Sequence, residues 1–236
     1  MEWLGPLSSL AALDKALVKC TACPRLVDWR EEVAMTKRKS YEDEKYWGKP
    51  VTGFGPSDAS MMIVGLAPGA HGANRTGRVF TGDRSGDWLY GSLHRLGLAK
   101  IPTSTSRDDG QELLQVRITC AVHCAPPNNK PTNEEKAACA PWLQKEISLM
   151  LPTLRSFVAL GSFAWTGILS TLKHLDFEVA SPRPKFGHGA VTKVVGPDGI
   201  TRLVVGSYHP SQQNTFTGKL TEAMLDTALR TAIITG

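Results

Sequence analysis

Five short runs of apolar, often β-branched residues punctuate the chain: Met61 to Ala67, Leu114 to Val122, Ser156 to Leu160, Val191 to Val195 and Leu203 to Ser207. Each is bounded by Gly, Pro or polar residues, which predicts strands. Between them, apolar positions recur at helical spacing over residues 85 to 97, 133 to 151 and 163 to 175, with a last pattern at 218 to 234; Thr132 and Glu135 form a capping box at the start of the second. Strand and helix in alternation predict an α/β fold: a mainly parallel central sheet with helices on both faces. Pro197-Asp198-Gly199 reads as a hairpin turn, so the last two strands are expected to be antiparallel. Lys37 to Pro56, charged and then rich in Gly and Pro, reads as a long surface loop. There is no internal repeat, and 236 residues suit a single domain over residues 1 to 236.

No apolar run reaches the length of about eighteen residues that a bilayer span needs, and the start, Met1-Glu2-Trp3, lacks the basic opening of a signal peptide. The expectation is a soluble protein of the cytoplasm. The net charge of +5 is compatible with a polyanionic partner without demanding one.

With no export signal, five cysteines direct attention to a metal or a reactive thiol instead of a disulfide framework. Cys20 and Cys23 form a C-x2-C pair, and Cys124 and Cys139 lie on either side of the Pro126-Pro127 turn and a capped helix start. Zinc and an iron-sulfur cluster both accept four thiolates, and residue type does not separate them, although the wide second spacing is unlike a compact zinc ribbon. Cys120 is the unpaired fifth and is expected at a strand end, away from any metal.

In sheets of this kind ligands bind beyond the carboxyl ends of the strands. Two unusual segments fall there. The first runs from Gly65-Leu66-Ala67-Pro68-Gly69-Ala70-His71-Gly72 to Phe80-Thr81-Gly82-Asp83, with glycines that let backbone approach a ligand. Gly72 to Gly77 has the gap of a P-loop, but Arg78-Val79 replaces the Lys and Ser/Thr that meet phosphates and magnesium, which excludes a nucleotide triphosphatase of that type. Asp83 taken alone is a helix N-cap; a carboxylate in a strand-end crevice can also orient water. Phe80 is either a plug on the core or a platform for a planar ligand. The second segment is Ser207-Tyr208-His209-Pro210-Ser211 followed by Gln212 to Thr215, where His209 offers a hydrogen-bonding imidazole at the same sheet edge.

Together the runs at 65 to 83, Cys124-Ala125-Pro126-Pro127-Asn128-Asn129, and Ser207 to Ser211 resemble the family 5 (type b) uracil-DNA glycosylases over nearly the whole chain. The resemblance implies a three-layer αβα sandwich, removal of uracil and of deaminated purines such as hypoxanthine and xanthine from DNA, and a [4Fe-4S] cluster held by Cys20, Cys23, Cys124 and Cys139 that tethers the N-terminal segment. It further implies that Phe80 stacks on an extruded base and that Gly65 and Ala67 form the floor beside the sugar. Asp83 serves the water, His209 hydrogen-bonds the base, and Asn129 reaches the pocket or the DNA backbone. The related type a enzymes carry Glu where this chain has Leu66 and a base-reading Asn where it has Cys120, so the carboxylate is expected from Asp83 and the base range is expected to be broad. Arg75, Arg78, Arg84 and Lys130 are candidate phosphate contacts, Gln212 to Thr215 a candidate filler of the vacated stack, and the protein is expected to act as a monomer near the nucleoid. Two rival readings remain: an iron-sulfur electron carrier or redox sensor, and a non-catalytic DNA-binding module.

Overall fold

The computed structural model describes residues 7–233, so the chain start read above and the last residue of the 218 to 234 pattern lie outside the described residues. Helices α1 (Leu10–Leu17) and α2 (Pro24–Thr36) precede strand β1 (Met61–Gly65). There follow α3 (Ala73–Thr76), α4 (Arg84–Arg95), β2 (Val116–Cys120), α5 (Asn133–Met150), β3 (Ser156–Leu160) and α6 (Ser162–His174). Strands β4 (Val191–Val195) and β5 (Thr201–Ser207) and helices α7 (Gln212–Phe216) and α8 (Glu222–Ile233) complete the described chain.

The sheet order is β2-β1-β3-β5-β4, parallel except for the antiparallel β4–β5 pair. Alternation along each strand sends side chains to two cores. Met62, Val64, Phe157, Ala159 and Val204 meet α1, α5 and α6, whereas Met61, Ile63, Val158, Leu160 and Val205 meet α4 and α8. The chain therefore folds as a three-layer αβα sandwich. The capping box forms as read, with the Thr132 hydroxyl accepting from the Glu135 amide and the Glu135 carboxylate accepting from the Thr132 amide.

Two sequence expectations need correction. Helix α2 was not expected; Pro24 at its first position follows the Cys23 N-cap, an arrangement that spares an amide without an intrahelical partner. Residues 37 to 56 are not a peripheral loop. Tyr46 and Val51 are buried, and Phe54 exchanges two 2.8 Å backbone hydrogen bonds with Ile118, covering the edge of β2. A Cβ at Gly55, where φ is +121°, would lie 2.2 Å from the Val116 carbonyl oxygen, so glycine is what permits this close approach.

Candidate active site and cysteine cavity

Parallel pairing brings the carboxyl ends of four strands to one edge: Gly65 of β1 sits opposite Cys120 of β2, and Leu160 of β3 opposite Ser207 of β5. From Gly65 the chain turns through α3 and returns with Phe80 and Asp83. Phe80 adopts the left-handed region, φ 51°, uncommon for a bulky residue. Its ring lies over Gly65, where an added Cβ would stand 2.8 Å from two ring carbons and 3.5 Å from the Cys120 sulfur. Its carbonyl abuts Gly86 of α4, where a Cβ would come within 1.9 Å. The ring also meets His209, with centroids 5.8 Å apart and planes at 32°.

Asp83 is the N-cap of α4, and its two oxygens are in different situations. Oδ1 accepts the Gly86 amide at 3.0 Å. Oδ2 faces a notch between Gly69 and Gly72; a Cβ would approach it to 3.2 Å at Gly69 and 2.1 Å at Gly72. Burial raises the pKa of this carboxyl, against the lowering effect of the Gly86 and Ser85 amides.

His209 follows β5 in a turn held by Asn214, whose Nδ2 donates to the His209 carbonyl at 2.8 Å. Its Cβ rests 3.6 Å from where a Cβ on Gly161 would be, at the start of α6. Burial pushes its pKa down to about 4, which leaves a neutral imidazole at physiological pH.

Away from this crevice, Cys20, Cys23, Cys124 and Cys139 line one cavity with Leu17, Leu26, Val27 and Trp142. Arg25 pins the start of α2 to the start of α5 by a two-pronged bond to Glu135, at 2.7 and 2.6 Å. Two N–H groups point at sulfur: Nη1 of Arg30 at Cys124 (3.0 Å) and the His123 amide at Cys139 (3.3 Å). The buried Nε of Arg30 has no partner among the described residues. Burial pushes the Cys124 thiol up to about 11 and that of Cys139 well above its ordinary value. Among the described residues no three Cys, His, Asp or Glu side chains are grouped as ligands of one ion. Four sulfurs around an apolar space, with N–H donors aimed at them and one left over, form a donor set that fits a sulfur-ligated group occupying the cavity.

Residues 52–232 match the profile of the uracil DNA glycosylase superfamily. The chain belongs to that superfamily. As a uracil DNA glycosylase superfamily member it is 51% identical over 228 residues to a type-5 uracil-DNA glycosylase of Mycobacterium leprae, covering 97% of this chain and 96% of the relative. It is 48% identical over 213 residues to the type-5 uracil-DNA glycosylase of Thermus thermophilus, covering 90% and 92% of the two chains. A type-4 uracil-DNA glycosylase of Pyrobaculum aerophilum is 32% identical over 168 residues, covering 71% and 74%.

Within this superfamily fold the residues read from sequence separate into groups. Gly65, Phe80, Cys120 and His209 meet at the strand ends, with Asp83 on the same loop as Phe80. Ala67 packs toward the core on the α5 and α6 side, and Asn129 is exposed in a turn beyond β2 with φ 55°. Two of the expected phosphate contacts are not available for that task. Arg75 is 7% exposed and bonds Glu44, the His71 and Gly82 carbonyls and the Tyr41 ring face; Arg78, equally buried, bonds Asp109, Ser104 and the Arg107 carbonyl. They hold the loop from 65 to 83 in shape instead. Arg84 and Lys130 remain exposed. Gln212 to Thr215 form α7, which ends in Phe216, 68% exposed with Arg84 above its ring. Sequence reasoning missed the supports: Gly86 makes room for the Phe80 carbonyl, Gly161 supplies a φ of +93° beside His209, and Asn214 fixes the turn. The Asn five residues after a His-Pro turn was the available signal for the last.

Proposed function

We propose that this chain hydrolyses the N-glycosidic bond between uracil and deoxyribose in DNA and acts on other deaminated bases, hypoxanthine and xanthine among them. The observation that carries this reading is the carboxylate of Asp83, with Oδ1 engaged as a cap and Oδ2 seated against the backbone of Gly69 and Gly72, on the loop that also places Phe80 beside Gly65 and His209. Extrusion of the nucleotide costs least where a base is mispaired or damaged, which favours lesions. Helix α7, with the exposed ring of Phe216, occupies the vacated stack, and Arg84 and Lys130 meet phosphates.

In the pocket Phe80 stacks on the base, with Gly65 and Ala67 below the sugar and Asn129 reaching the pocket rim or the backbone. Bond rupture leaves positive charge on the sugar and negative charge on the departing base. Oδ2 of Asp83 stabilises the first and orients water; as the sugar–base bond breaks with its electron pair on the base, the water oxygen adds to the sugar carbon, its proton passes through the Asp83 carboxylate to solvent, and the released base anion takes a proton from solvent. Neutral His209 donates a hydrogen bond to the base oxygen without itself needing an extra proton. Cys120, a weak donor, stands in the pocket without the paired donor and acceptor of an amide, which supports a broad base range.

Cys20, Cys23, Cys124 and Cys139 hold a [4Fe-4S] cluster in this reading. Its support is the shared cavity and the N–H donors at sulfur. The cluster supplies a tether between the N-terminal helices and α5. Release of free base from a panel of single-lesion duplexes containing uracil, hypoxanthine or xanthine tests the activity; a protein that binds these duplexes and releases no base refutes it.

A further inference from the structure

Arg30 lies on α2 with its side chain toward the cysteine cavity and its backbone toward the catalytic loop. The side chain is 3% exposed, and besides Cys124 its Nη1 donates to the Cys20 carbonyl at 3.3 Å. The Arg30 carbonyl accepts from Nδ2 of Asn74 at 3.1 Å. Asn74 is fully buried in α3, within the loop that carries Phe80 and Asp83, and its own carbonyl accepts from the Gly48 amide at 3.1 Å. Gly48 packs on α2, where an added Cβ would lie 2.9 Å from the Ala34 Cβ. A continuous series of contacts therefore runs from a cavity sulfur through Arg30 and Asn74 into the catalytic loop.

A buried guanidinium is costly without a counter-charge. The carboxylate that pairs with it among the described residues, Glu31, is 3.6 Å away and exposed. Thiolates bound to an anionic iron-sulfur group supply that charge, and its sulfides offer an acceptor for the orphaned Nε.

We propose that Arg30 is a positioning residue which couples the occupied cysteine cavity to the catalytic loop: its guanidinium binds the sulfur side of the cluster, and its carbonyl holds Asn74 and so α3. This rests on the cluster reading above. Two properties follow from one side chain. Donation to sulfur stabilises the more negative, reduced cluster, so Arg30 raises the reduction potential. Occupation of the cavity also fixes the backbone that Asn74 grips.

The test uses anaerobically purified full-length protein: wild type, Arg30→Met, Arg30→Lys and Asn74→Ala. Iron and sulfide content, reduction potential, and hydrogen exchange of the 72 to 77 segment are measured with and without the cluster. In the loaded wild type that segment is protected, and cluster removal speeds its exchange about tenfold. Asn74→Ala keeps the wild-type potential, exchanges fast already when loaded, and gains little on cluster removal. Arg30→Met, loaded, has a more negative potential and the fast exchange of the cluster-free protein. If Arg30→Met does not retain the cluster, Arg30→Lys, which keeps the charge and loses the fork, is expected to show a smaller negative shift. A loaded Arg30→Met or Arg30→Lys with unchanged potential, or equal acceleration on cluster removal in wild type and Asn74→Ala, overturns the coupling. Wild-type protein without iron and sulfide refutes the cluster reading itself and takes this inference with it.

Discussion

Asp83 combines two roles that substitution can separate. Asn caps helices as well as Asp, so Asp83→Asn keeps the bond to the Gly86 amide and removes only the charge. Because burial raises the pKa of this carboxyl, ionising it in the folded state costs stability at neutral pH. Asp83→Asn is therefore expected to be at least as stable as wild type in denaturant titrations while single-turnover base release falls about a hundredfold or more. A variant that releases base at the wild-type rate removes Asp83 from the chemistry. His209 gives the opposite pH signature. Its pKa is depressed from 6.5 to about 4 in the folded protein, so its stabilising contribution is complete above pH 6.5 and is lost progressively as pH falls from 6.5 to about 4, where the unfolded chain takes up the proton first. Denaturant midpoints measured across that window fall for wild type, and His209→Asn flattens the fall. Gly65→Ala places a methyl 2.8 Å from the Phe80 ring and is expected to displace it, which base-release kinetics on uracil duplexes reads as a loss of activity in a folded protein.

At the scale of elements, β2 is an edge strand whose polar side faces α5. Arg117 Nε and Thr119 Oγ1 both donate to Glu146, at 2.5 and 2.8 Å, and both members of the ion pair are buried. Glu146→Ala leaves the guanidinium without its partner and is expected to lower unfolding free energy by about 3–5 kcal/mol, measured by denaturant titration. The strands themselves were legible: the fully buried parallel strand Ser156 to Leu160 reads as a short apolar run, and the partly exposed antiparallel strand Val191 to Val195 as a β-branched run ending at a turn, and both match residue for residue. Helix α2 was not legible by the same rule. Its apolar stripe is weak because Arg30 takes an inward position between Leu26 and Val33, bonded to Cys124, where periodicity looks for hydrocarbon. The segment from Lys37 to Pro56 misled for a related reason: Gly and Pro mark irregular backbone, and irregular backbone can still be buried when, like Phe54, it pairs with a strand edge.

For the molecule as a whole, the proposed cluster is expected to tie α1 and α2 to α5. Stripping iron by oxidation and chelation should lower the thermal midpoint and expose residues 18 to 38 to limited proteolysis before the sheet is cut, read by mass spectrometry of the first fragments. The sequence by itself determined the strand and helix alternation, the antiparallel last pair and the strand-end location of both loops, because these follow from local periodicity and turn chemistry. Only the tertiary structure decided that Arg75 and Arg78 are internal braces, that Asp83 rests Oδ2 against Gly69 and Gly72 while Oδ1 caps α4, and that Arg30 bonds Cys124 with its side chain and Asn74 with its carbonyl. The physical reason is common to all three. What a charged side chain does depends on which partners and how much solvent surround it, and partners 31 residues away for Arg75 and Arg78 and 94 residues away for Arg30 come near only when the chain packs.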